Sequence, residues 1–364
     1  MTTKKGAMEF DENMAISTIG DYEYRWLDPM ECREIDILGF QWLEENQDYY
    51  RMPKSKCKLF SVAVNSIAEN CSGGQLRFYT DTTRIAIDAE FEAPHSMYHM
   101  TPVAQNGFDC YMGRCGNMKF AATLNFDPKK RHYTAPLFVD VKRSKRYITI
   151  NFPLYNSRLK KLKIGIEPDA MLKSVRHPKN KVVVYGTSIT QGGCATRPGM
   201  SYTNILSRQI NAEFINLGFS GNGKGEPDVI ETIASINDMD LCIIDYEANI
   251  GEGIFDNLPN VIKILRNAQP ELPILILSTV AHGQENIRLE NRRAATKRRN
   301  FQKKLVEKLH RSGDKKIDFY DGSTFFGDAD PGEFAVDGCH LTDYGFQKVA
   351  DGLKDIVNGF LTSG

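Results

Sequence analysis

Two hydrophobic patterns divide the chain. Across residues 16–166, apolar and polar positions alternate in short runs broken by turn residues, as in "LRFYTDTTRIAIDAEF" (76–91), "PLFVDV" (136–141), "RYITINFPLY" (146–155) and "KLKIGIE" (161–167). Period-two alternation gives each strand one buried and one wet face, and several such strands at short intervals predict an antiparallel β-sandwich. Helical periodicity is largely missing from this half.

Beyond "EPDAMLKSVRHPKN" (167–180) the pattern changes to short, continuously apolar runs: VVVY (182–185), FINLGF (214–219), LCIID (241–245), ILILST (274–279) and IDFYD (317–321). Between and after them lie segments of helical period, near 202–211, 227–236, 255–267, 291–309 and 344–360. Strands apolar on both faces that alternate with helices predict a parallel sheet covered on both sides, an α/β fold. The boundary is expected between Pro168 and Asn180, giving domains 1–172 and 173–364, in keeping with a length of 364 residues.

Charge changes this picture little. The 46 basic and 46 acidic residues balance, so no nucleic acid or membrane partner is expected, and "NRRAATKRRNFQKK" reads as a solvated helix face. No run approaches the ~20 apolar residues of a membrane span, and the N-terminus lacks the apolar core of a secretory signal. The eight cysteines contain no CxxC spacing, which together with that N-terminus predicts reduced thiols and a cytoplasmic location.

In an open α/β sheet, ligands bind beyond the carboxyl ends of the strands. Four segments qualify: Gly186-Thr187-Ser188, Ser220 to Gly223, Tyr246 to Asn249, and "DGCHLTDYG" (337–345). A serine hydroxyl becomes a nucleophile when a neighbouring base takes its proton, so Ser188 pairs with His340 as candidate base and Asp337 as the group that orients the imidazole. Each alone has a plainer reading, as helix cap, loop residue or turn former. Their joint placement on strand-end loops of one sheet favours chemistry. The backbone N–H groups of Ser188 and Gly221 and the amide of Asn249 would form an oxyanion hole, and Gly221 also suits a tight turn of positive φ.

Arg197, His282 and Glu247 are candidate substrate-lining residues; Arg197 and His282 fit loop-tying roles equally well. His95 and His99 are four apart in a region without helical pattern, so they need not share a face, and no metal or cofactor site is expected. Cys339 reads as packing.

These blocks resemble the SGNH (GDSL-like) hydrolase superfamily. "GTSITQG" resembles its first block, with Thr187 where Asp is commoner, "NLGFSGNG" the second, "DYEAN" the third in place of Gly-x-Asn-Asp, and "DGCHLTDYG" the last. The match extends to a two-domain subgroup, because "NGFDCYMG" (106–113) looks like its Gly-x-Asp-Leu-Tyr motif with Cys110 in the leucine place. The resemblance implies a flavodoxin-like three-layer α/β/α hydrolase domain behind a jelly-roll-like β-sandwich. It also implies Ser188 as nucleophile, His340 as base and then acid, Asp337 as orienter, and Ser188, Gly221 and Asn249 as oxyanion donors. The expected activity is hydrolysis of a short-chain ester, such as an acetyl ester, of a saccharide or other hydroxylated small molecule. Acyl transfer through the same acyl-enzyme and non-catalytic carbohydrate binding are the alternatives. Phe152 and Tyr155 in "NFPLYN" are expected in the domain interface.

Overall fold

The computed structural model describes residues 10, 15–94 and 97–362. Among the described residues, ten strands build the first half: β1 (Arg25–Leu27), β2 (Asp36–Leu38), β3 (Gln75–Thr80), β4 (Ile85–Phe91), β5 (Asp109–Met112), β6 (Lys119–Thr123), β7 (His132–Phe138), β8 (Arg146–Asn151), β9 (Leu159–Ile166) and β10 (Leu172–Lys173). They form two antiparallel sheets. One has the order β1-β9-β4-β7; the other runs β10-β3-β8-β5-β6, with β2 also on β3. The run 76–91 is therefore two strands in different sheets. Its alternation sends Leu76 and Phe78 inward from one sheet and Ile85, Ile87, Ala89 and Phe91 inward from the other, so both inner faces share one core.

Three short helices, α1 (Leu43–Asn46), α2 (Val62–Ala68) and α3 (Pro102–Asn106), interrupt this half. Ser61 and Thr101 cap the last two by accepting from Val64 N–H and Ala104 N–H.

The second half holds five strands, β11 (Asn180–Gly186), β12 (Ala212–Gly218), β13 (Leu241–Asp245), β14 (Ile274–Leu277) and β15 (Ile317–Tyr320). All are parallel, in the order β12-β11-β13-β14-β15. Their continuous apolar sequence follows from two-sided burial: Val183 and Tyr185 enter one helix-covered core, Val182 and Val184 the other. The covering elements are α4 (Ser188–Gln191), α5 (Tyr202–Gln209), α6 (Pro227–Ala234), α7 (Glu247–Ile250), α8 (Ile254–Ala268), α9 (Gln284–Ile287), α10 (Leu289–Arg311) and α11 (Asp343–Thr362). None of the described helices is long and apolar enough to cross a membrane.

The chain leaves β11 for β12 on one side and continues from β12 to β13 on the other. That reversal opens a crevice at the carboxyl end of β11, where open α/β sheets take their ligands. Gly186, Gly218 and Asp245 stand level there in the register.

Candidate active site

The corner after β11 is built for close contact. A Cβ on Gly186 would stand 2.0 Å from Thr190 Oγ1 and 2.4 Å from the Asp245 carbonyl oxygen, so only glycine fits. Thr187 caps α4: its Oγ1 accepts from Ile189 N–H at 3.2 Å, while its own N–H donates to Thr190 Oγ1 at 3.1 Å. Thr190 in turn donates to Asp245 Oδ2 (2.8 Å), which also accepts from Tyr202 (2.9 Å). A threonine thus serves where the common first block has aspartate, and the carboxylate beneath the corner comes from β13. Burial pushes the Asp245 carboxyl up to about 7 against the opposing Thr190 and Tyr202 hydrogen bonds.

Ser188, 8% exposed, opens α4. Its Oγ lies 2.9 Å from His340 Nε2, and His340 Nδ1 lies 2.7 Å from Asp337 Oδ2. The hairpin that carries both is closed by a bridge between Ala335 and Leu341, with Val336 N–H donating to the His340 carbonyl at 2.8 Å. Asp337 Oδ1 accepts from the N–H groups of Cys339 (3.0 Å) and His340 (2.8 Å). Partial burial alone would raise the Asp337 carboxyl; the hydrogen bonds from the His340 backbone and ring and from Cys339 N–H outweigh it and hold it down at about 2. Gly193 makes room for the ring, since a Cβ there would lie 3.2 Å from His340 Cδ2 and 2.9 Å from the Tyr155 hydroxyl.

The loops after β11, β12 and β13 carry the three expected donors. Among the described residues the N–H groups of Ser188 and Gly221 make no hydrogen bond to protein. Gly221 has φ +68°, and an added Cβ would meet nothing within 4 Å, so its backbone conformation rather than crowding calls for glycine. Asn249, on α7, donates one Nδ2 hydrogen to the Phe219 carbonyl at 3.2 Å, which fixes the amide and leaves its second N–H unused. Gln191 steadies the loop from below: Oε1 accepts from Ser220 N–H at 3.0 Å, and Nε2 donates to the Leu154 carbonyl at 3.1 Å.

The structure departs from the sequence expectation at Glu247. This side chain is 1% exposed and does not line the crevice; Arg298 Nε (2.8 Å), Thr279 N–H (3.0 Å) and Gln302 Nε2 (2.7 Å) occupy its two oxygens. It ties the loops after β13 and β14 to α10. Arg197 is also committed: Nη1 donates to Asp109 Oδ2 (2.8 Å) and to the Tyr111 hydroxyl, and the guanidinium lies 4.2 Å from the Phe120 ring centroid. It holds the loop after the nucleophile corner to the sandwich. His282 is half-buried, its Nε2 3.3 Å from Thr279 Oγ1. Burial lowers its pKa, and the nearby His340 adds in the same direction.

Phe152 packs in the sandwich core, while Tyr155 belongs to the hydrolase-side core and donates to the Ser188 carbonyl at 3.3 Å. His95 lies outside the described residues. His99, which sequence reasoning set aside, stands edge-on to His340 with ring centroids 5.6 Å apart and stacks on the exposed Tyr98 at 4.4 Å. Nothing in the local sequence signals this contact, because it joins the two halves of the chain. His99, Cys194 and His340 place ligand atoms within 4.8 Å of one another. They suit a metal poorly: both His340 nitrogens are engaged, and burial pushes the Cys194 thiol up to about 12.

Residues 24–172 match the model of the N-terminus of SGNH-hydrolase-type esterases, and residues 179–358 that of the GDSL-like lipase/acylhydrolase family. The chain belongs to the GDSL-like, or SGNH, hydrolases, in the form that carries this N-terminal domain. It is similar to a structure assigned as a GDSL-like lipase from Bacteroides ovatus, at 29% identity and TM-score 0.85, over 93% of this chain and 98% of the other. A salicylyl-acyltransferase from a tetracycline biosynthetic pathway shares the fold at 18% identity and TM-score 0.71, over 90% and 95% of the two chains. So does an acetyl xylan esterase from Butyrivibrio proteoclasticus, at 13% identity and TM-score 0.55, over 93% and 99%. No curated protein matches the chain.

Proposed function

We propose that the protein is a serine esterase that removes a short acyl group, such as acetyl, from a saccharide or another hydroxylated small molecule. The observation that carries this reading is the unbroken relay Ser188 Oγ, His340 Nε2, His340 Nδ1, Asp337 Oδ2 at the switch point of the sheet. Ser188 Oγ attacks the ester carbonyl carbon as His340 Nε2 takes its proton. The N–H groups of Ser188 and Gly221 and the free amide hydrogen of Asn249 receive the oxyanion. His340 then gives the proton to the departing alcohol, and an acyl-serine remains. Water, deprotonated by His340, attacks that ester, and the tetrahedral intermediate collapses to free acid as His340 Nε2 returns the proton to the departing Ser188 Oγ. Asp337 keeps the proton on Nδ1 throughout and balances the imidazolium.

Hydrolysis rather than acyl transfer is favoured by the openness of the mouth: the side chains of His340 and Asp337 are 25% and 26% exposed, so water reaches the acyl-enzyme. A saccharide acceptor is supported by the fold shared with the acetyl xylan esterase and by the exposed Tyr98 ring beside the relay. The test is turnover of p-nitrophenyl acetate and of acetylated xylo-oligosaccharides by the wild type and Ser188→Ala. The variant is expected to lose about 10³-fold or more in kcat on both. Equal rates would sink the catalytic assignment, and acyl transfer to an added alcohol outrunning acetate release would favour a transferase.

A further inference from the structure

A second cleft lies at the opposite edge of the parallel sheet, where β11 and β12 begin. It is separated from Ser188 by the seven residues of β11, roughly 20 Å at a strand's rise per residue. Its volume is about 610 Å³, and it runs between the outer face of the six-stranded sheet, the inter-domain segment and the last turn of α5. Arg77, Arg114, Arg176 and Lys179 line it together with His177, and among the described residues no aspartate or glutamate does.

Two features mark a built site rather than a solvated basic surface. Arg77 is 8% exposed, yet it pairs with no carboxylate among the described residues: Nε and Nη2 both donate to the neutral Gln75 Oε1, at 3.1 and 2.6 Å, and Nη1 makes no protein hydrogen bond. Asp36 and Glu213 act on it without a direct hydrogen bond; Asp36 accepts from Val175 N–H and faces His177, and Glu213 accepts from Gly39 N–H. A guanidinium withdrawn from water with no carboxylate in hydrogen-bonding contact is costly, and burial lowers its pKa against the smaller opposing effects of Cys115, Glu213 and Asp36. The second feature is Gln209, which also lines the cleft and whose Oε1 is buried without a partner. Arg176 and Lys179 are exposed and form no ion pair among the described residues.

We propose that this cleft binds the anionic group of a hydroxylated small molecule, a uronate carboxylate or a sugar phosphate, with Arg77 as the buried anchor. The planar guanidinium suits either oxyanion, and Arg176 and Lys179 add positive charge from the inter-domain segment that lines the cleft. The site is independent of the esterase reading, since no residue of the relay contributes to it.

Isothermal titration of the full chain with glucuronate, glucose 6-phosphate and glucose tests the proposal. At least one acidic sugar is expected to bind at one per chain, more weakly as salt is raised, while glucose does not bind. Which acidic sugar binds tells carboxylate from phosphoryl recognition. Arg77→Met should abolish the heat. Because that variant removes a buried side chain, the exposed pair Arg176→Ala with Lys179→Ala provides a second readout, expected to raise Kd about tenfold or more. Absence of binding by both acidic sugars, equal binding of glucose, or an unchanged Kd in the double variant would overturn it.

Discussion

Asp337 and Asp245 are both carboxyls of the crevice, and their surroundings push them in opposite directions. Asp337 accepts two backbone N–H bonds and the His340 ring, and so stays ionised down to about 2. Asp245 is sealed beneath the nucleophile corner, where burial holds its proton up to about 7. In the unfolded chain the same carboxyl ionises near ~3.9. Between those values the folded protein binds the extra proton, so the contribution of Asp245 to stability falls as pH rises from about 4 to about 7 and is flat above. Asp245→Asn should lack this part of the decline, seen as a smaller drop in urea midpoint between pH 5 and pH 8 than in the wild type; an equal drop would refute the assignment. Ser188, His340 and Asp337 were legible in the sequence because each lies in a short motif at a strand end. Glu247 was not, because what decides its role is Arg298 and Gln302, 51 and 55 residues further along the chain.

The elements of the second half follow their hydrophobic period closely. All five expected strands and five expected helices form, with ends shifted by a residue or two, since two-sided burial leaves little choice of face. Helices α1, α3, α7 and α9 span only four or five residues, too few for a 3.6-residue period to show, and escaped sequence reading. At this scale β5 has a definite task. Its Asp109, fully buried, accepts from Asn151 Nδ2 (2.7 Å) through Oδ1 and from Arg197 Nη1 and Gly199 N–H (both 2.8 Å) through Oδ2. The Gly-x-Asp-x-Tyr stretch thereby pins the loop that follows the nucleophile helix. Asp109→Ala strands the Arg197 charge and two further donors, and a loss of about 3–5 kcal/mol in chemical denaturation is expected. A cost under ~1 kcal/mol would mean that the pin is dispensable.

At the scale of the whole molecule the sandwich half directly supports the sheet edge that carries Ser188 and Gly221. Arg51, 1% exposed, donates through Nη1 to the carbonyls of Asn216 (3.0 Å) and Gly218 (2.8 Å), at the end of β12 just before the Gly221 turn. Its guanidinium also lies 5.0 Å from the Phe219 ring centroid. Tyr155 supports the Ser188 carbonyl and faces Gly193, and Gln191 joins the Leu154 carbonyl to Ser220 N–H. His99 stands against the ring of His340. A fragment of residues 173–364 would lose every one of these supports and would expose the apolar surface that Leu154 and Tyr155 cover in the hydrolase-side core. Such a fragment is expected to aggregate, or, if it stays in solution, to fall at least about 100-fold in kcat/KM for p-nitrophenyl acetate, because oxyanion donors displaced by about 1 Å lose most of their effect. Size-exclusion chromatography followed by steady-state kinetics on the monomeric fraction separates these outcomes. A monomeric fragment with the kcat/KM of the full chain would show that the sandwich serves some purpose other than holding the Ser188, Gly221 and His340 loops in register.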